Sequence, residues 1–124
     1  MNIEQLRDYC MTKAGVTEEF PFDEVTLVFK VMGKLFCMTG LERWEQGRPA
    51  INLKCDPDTA VQLRIDYDGT VVGGYHSNKK HWNTIYLNEG MIDDEVFKWI
   101  DHSYDLVVQK LTKKDKETLK NMMH

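Results

Sequence analysis

From Val96 to Leu111 the apolar residues Val96, Phe97, Ile100, Tyr104, Val107, Val108 and Leu111 recur at helical spacing, behind an acidic start of Asp93, Asp94 and Glu95. A helix this long and this one-sided must bury its stripe, and only a second apolar surface can receive it. Asp93 is the expected cap, its acidic neighbours complement the helix dipole, and Ile92 is placed to staple onto Phe97.

The receiving surface is a set of strands. Val25, Leu27, Phe29 and Val31 alternate with Thr26, Val28 and Lys30, as a strand with one buried face requires. Met32-Gly33 then turns the chain into a second strand, Lys34 to Thr39, which predicts an antiparallel hairpin. Gly40 to Pro49 reads as a polar loop carrying Trp44, and Ala50 to Lys54 as a third strand. Asp56-Pro57 opens a short helix through Ala60, Leu63 and Ile65. Thr70 to Tyr75 and Trp82 to Leu87 follow as the fourth and fifth strands, with Gly73-Gly74 marking a bulge or a close backbone approach. At the front, Asn2 and Gln5 make a capping pair for a helix over 3–14, with Gly15 as its left-handed stop. At the back, Thr112 caps a Lys-rich terminal helix over 112–124, anchored by Leu119, Met122 and Met123 and expected to fray.

This order predicts an α+β fold, α-β(3)-α-β(2)-α: two layers, a five-stranded antiparallel sheet with helices on one face. The 124 residues make one domain spanning 1–124, and 42% hydrophobic content suffices for one core. No apolar run is long enough to span a bilayer and the N-terminus carries acids where a signal peptide would be basic, so a cytoplasmic protein is expected. Cys10, Cys37 and Cys55 are odd in number and scattered, which suits reduced core thiols.

The net charge of −4 excludes a general attraction to polyanions, so any such contact must be local. The charge is also uneven: acids dominate residues 1–24, while Lys110, Lys113, Lys114, Lys116 and Lys120 dominate the end of the chain. The densest functional signal is the run from His76 through Asn78, Lys79, Lys80 and His81 to Trp82 and Asn83, where cations and amides meet an indole.

Phe20-Pro21-Phe22, Phe29-Lys30-Val31, Gly33-Lys34-Leu35-Phe36, Leu53-Lys54-Cys55, Leu63-Arg64, Gly74-Tyr75-His76, Asn78 to Thr84 and Ser103-Tyr104, in this order and spacing, resemble the MmcQ/YjbR-like family of small bacterial proteins. The resemblance covers most of the chain. It implies a fold similar to secretion chaperones and frataxin-like domains, and it carries the family's DNA-binding label. The chain departs from the family pattern at Gly73, where proline is expected, and at Ser77, where methionine is expected.

Three function classes follow. The first is a weak, salt-sensitive DNA binder using His76, Asn78, Lys79, Lys80, His81, Trp82 and Asn83, with Lys30, Lys34 and Lys54 extending the surface from neighbouring strands. The second is a chaperone-like module, monomeric or dimeric, that grips a protein partner along a sheet face or edge. The third is a binder of a small anionic ligand floored by Trp82. Against all three stands the plainer reading of a solvated hairpin that protects an edge, with Trp82 and Tyr75 as cross-strand core aromatics. No nucleophile with a base and orienting group is present, so a catalytic site is not expected. Nor is a phosphate loop or a second close pair of metal ligands, so neither cofactor nor metal is expected.

Overall fold

A computed structural model describes residues 1–74 and 78–123. Among them five helices and six strands form two layers: α1 (Ile3–Met11), β1 (Val16–Glu19), β2 (Thr26–Val31), β3 (Lys34–Gly40), α2 (Leu41–Glu45), β4 (Ala50–Lys54), α3 (Pro57–Asp66), β5 (Val71–Gly73), β6 (Trp82–Tyr86), α4 (Asp93–Gln109) and α5 (Lys113–Met122). The sheet is antiparallel throughout, in the order β1-β2-β3-β4-β6-β5.

The expected α+β architecture is present, with two additions. The sheet has six strands, not five, because Val16–Glu19 pairs along β2 as an edge. Its acids gave no strand pattern; the ladder and the clamp of Arg7 on Glu18, 2.7 Å away, supply what side-chain propensity does not. The expected loop at 40–49 also contains one short helix, α2, whose Trp44 indole donates to the Thr39 hydroxyl.

Local chemistry sets most helix ends. Asn2 and Gln5 form the capping box of α1, Asp56 caps α3 ahead of Pro57, and Thr112 accepts from the Asp115 amide at the start of α5. Two expectations are corrected. The cap of α4 is Ile92, with Asp93 already inside the helix, and Ile92 stays 69% exposed while Phe97 stacks on Tyr9 at 4.1 Å. Helix α1 ends at Met11, three residues short of its expected end at residue 14, and Gly15 (φ +71) instead leads into β1.

On one face of the sheet Leu27, Phe29, Ile51, Leu53, Val71 and Ile85 merge with Leu6, Cys10, Ala60, Leu63, Val96, Ile100 and Val107 of the helices into one core. Alternation sends Val28, Met38, Asn52 and Thr84 to the other face. That face is not bare, since Val28 is fully buried there. Among the described residues no helix is long and apolar enough to cross a membrane.

Candidate nucleic-acid interface

Strand direction decides which cations can meet. In this antiparallel sheet β2 ends, β3 begins, β4 ends and β6 begins at the same end. Lys34, Lys54 and Trp82 therefore stand there together, with Lys79 and Lys80 in the hairpin that leads into β6. The terminal helix joins them: Leu119 of α5 packs at Gly15, beside Met32 of the β2–β3 turn. The opposite end of the strands carries Glu19, Asp23, Glu24, Glu42, Glu45 and Glu89. The balance of charge therefore differs between the ends, although Asp56 and Asp58 follow β4 at the first and Arg43 and Arg48 lie at the second.

The hairpin is built by its own backbone. The Asn78 carbonyl accepts from the amides of His81 and Trp82, its side chain accepts from the Lys80 amide, and the Gly74 amide donates to the Trp82 carbonyl. The His81 carbonyl takes the Cys55 amide at 2.8 Å, tying the end of β4 to the hairpin. Lys79 and Lys80 are exposed, and His81 and Trp82 are half-buried. His76 lies outside the described residues, as do Tyr75 and Ser77.

Other expected contacts serve differently. Asn83 is 2% exposed, and its amide is engaged at both ends: its oxygen accepts from Arg64 Nε at 2.9 Å and its nitrogen donates to the Ala60 carbonyl. Arg64 continues to the Lys79 carbonyl, so one guanidinium fastens α3, β6 and the hairpin. The aliphatic stem of Lys79 lies over Gly73, where a Cβ would come within 3.1 Å of it. A side chain there would require the Lys79 stem to shift by a few tenths of an ångström. Lys30 points its ammonium at Glu19, 3.7 Å away, and so leans toward the acidic end. Lys34 and Lys54 stand on opposite faces by alternation, since Lys34 pairs with Val31 of the core side and Lys54 with Trp82.

Lys54 is held by a buried hydroxyl. The register Cys37↔Leu53 would next set Lys54 opposite Phe36, but Ser103 of α4 occupies that rung. Its oxygen accepts from the Lys54 amide at 2.9 Å and its hydroxyl donates to the Phe36 carbonyl. Burial, with the like charge of Lys110 adding to it, pushes the Lys54 ammonium below its ordinary pKa.

The YjbR family model matches residues 11–106. The chain belongs to the YjbR family. It is 33% identical over 119 residues to the uncharacterized protein YjbR of Escherichia coli K12, covering 96% of this chain and 98% of that one. It is 36% identical over 101 residues to the uncharacterized protein YbdF of Escherichia coli O157:H7, covering 82% and 80%. The crystal structure of protein DR2400 of Deinococcus radiodurans superposes with a TM-score of 0.87 at 33% identity, over 96% of this chain and 88% of that one. A protein from Pseudomonas syringae shares the fold, with a TM-score of 0.71 at 23% identity over 86% and 98%.

Several segments that carry the YjbR resemblance are therefore struts of the basic corner. Leu63-Arg64 and Ser103-Tyr104 carry the resemblance without pointing, as sequence, to a role in a site. The sequence signal for Arg64 is weak: an arginine beside Leu63 and one turn after Ala60, the two buried residues of α3. Ser103 gave none beyond sitting mid-helix in the apolar stripe. The three cysteines are buried and free; burial raises the Cys55 thiol to about 11, and the neighbouring Cys10 thiol together with burial raises Cys37 well above its ordinary value.

Proposed function

We propose that this protein binds duplex DNA weakly, and without base readout, through the basic end of its sheet. The observation that carries the reading is the sorting of the cations. Arg7, Lys13, Lys30 and Arg48 each have a carboxylate partner, while Lys34, Lys54, Lys79, Lys80 and Lys110 form no ion pair among the described residues. Unpaired ammoniums at one end, where Asp56 and Asp58 are the neighbouring acids, and the larger share of the carboxylates at the other favour approach to a polyanion basic end first.

Phosphate contact fits the corner better than base contact. Asn83 is spent internally and Trp82 is half-buried, so the exposed groups are mainly lysines, with Asn78 beside them holding the turn through its side-chain oxygen, and lysines position a protein on a duplex without reading its sequence. Fluorescence anisotropy of a labelled duplex tests this. If about four phosphates are neutralised, affinity falls roughly 100-fold between about 50 and 200 mM salt. Lys79→Glu/Lys80→Glu abolishes binding or removes about two from the slope of log affinity against log salt. A duplex that stays unbound at low salt, or that binds the double variant with the same slope, refutes the reading.

A further inference from the structure

The acidic end of the sheet has its own cavity, on the face opposite the helices, with a volume of about 440 Å3. Its floor crosses three strands, since Met38 pairs with Asn52 and Asn52 with Thr84. Phe22 and Val25 of the loop between β1 and β2 and Arg43 of α2 complete the lining. The size lies within the range of small-molecule sites.

The cavity is held open by its surroundings. Asp23 accepts hydrogen bonds from the amides of Val25 and Thr26 and from the Thr26 hydroxyl, and the Val25 carbonyl accepts from the Leu41 amide at 2.8 Å. The loop is thus fixed at both the strand and α2. Phe22 remains 68% exposed and Val25 37% exposed beside a hollow neither fills. Apolar side chains held at the lip of a preformed cavity are what an apolar ligand would cover.

The uncommitted polar side chains of the lining are two donors, Asn52 and Arg43, and one carboxylate, Glu42. The Asn52 side-chain oxygen accepts from the Thr84 hydroxyl, which leaves both N–H groups of its amide without a partner among the described residues. The Arg43 guanidinium lies 5.8 Å from the Tyr86 ring and has no carboxylate partner among them. Asp23 is occupied by the loop, and the Thr39 hydroxyl donates to the Ala50 carbonyl and accepts from Trp44. Glu42 is exposed at the lip and open to water. An amide donor over the floor and a guanidinium in the lining ask for an acceptor with negative charge.

We propose that this cavity binds a small carboxylic acid with an aromatic or branched apolar body, its carboxylate taken by Asn52 Nδ2 and Arg43 and its body lying against Met38, Val25 and Phe22. The site is independent of the basic corner, which sits at the other end of the strands.

The probes are 3-phenylpropionate and 4-methylpentanoate, with 3-phenylpropionamide and phenethylamine as uncharged and cationic counterparts. Binding is read from the Met38 methyl resonance and by calorimetry. Saturable shifts of that methyl are expected from at least one acid with a midpoint at or below about 1 mM, with the amide and amine about tenfold weaker or worse. Arg43→Gln weakens the acid about tenfold, the loss of one charge-assisted contact. Gly40→Leu blocks the cavity: Gly40 lines it, has an ordinary φ of −86, and has open space where a Cβ would go, so the fold tolerates the change. Lys79→Glu/Lys80→Glu leaves acid binding unchanged, which separates this site from the DNA reading. The proposal is overturned if neither acid moves the Met38 methyl at about 10 mM. Equal binding of amide or amine, or undiminished binding in Gly40→Leu, overturns it as well.

Discussion

Ser103→Ala removes the one oxygen that joins β3, β4 and α4, and its cost follows from what is left behind. Ser103 is fully buried; its hydroxyl satisfies the Phe36 carbonyl and its lone pair the Lys54 amide. Deleting the oxygen leaves one backbone donor and one acceptor without partners. Each such group costs about 1–3 kcal/mol when buried. The Lys54 amide is only partly buried and takes the lower figure, so a total of about 2–4 kcal/mol is expected. For a chain of this size that lowers Tm by roughly 8–16 °C. Urea unfolding at constant m measures it, with Ser103→Thr as the variant that keeps the oxygen. A loss below about 0.5 kcal/mol in Ser103→Ala would refute the reasoning. It would mean that Phe36 and Lys54 close the vacated rung by pairing directly, and that the serine was a wedge, not a link.

Two further outcomes are expected. Arg7 holds the Glu18 carboxyl below its ordinary 4.5, so the pair stabilises the fold above that pH and the benefit is lost as pH falls through the lower folded value. Arg7→Gln should therefore lower the urea midpoint at neutral pH and flatten its decline below pH 4.5; parallel profiles for the two proteins would contradict this. Gly15→Ala combines a left-handed backbone with a Cβ 2.7 Å from Leu119 Cδ1. It should cost about 1–3 kcal/mol and speed hydrogen exchange in α5, whereas Gly33→Ala, equally left-handed at φ +81 but facing open space, should leave α5 exchange unchanged.

The elements that the sequence reveals are those set by contacts within a few residues. The box of Asn2 with Gln5, the Asp56-Pro57 start and the stripe of α4 are all local, and each stands where its residues indicate. The missed elements take their conformation from elsewhere. Val16–Glu19 is a strand because β2 offers it a ladder and Arg7 neutralises Glu18, neither of which is visible in four residues with two acids. Helix α2 is five residues long, too short for a periodic signal.

The same division governs the candidate site. That Lys79 and Lys80 sit at a hairpin is legible locally, but that Lys54 belongs beside them depends on β4 pairing with β6 and passing over β5, which comes earlier in the chain. The topology then does more than collect lysines. The β2–β3 turn, the end of β4 and the β5–β6 hairpin fall at one end, while the β1–β2 loop, α2 and the β6–α4 link fall at the other. A surplus of cations in the first set, despite Asp56 beside Lys54, and of acids in the second, despite Arg43, needs no contact between the two to make the ends differ in charge. Asn83 shows the limit of reading chemistry from residue type alone: it sits in the richest run of polar side chains, yet the fold uses its amide to fasten Arg64 and α3.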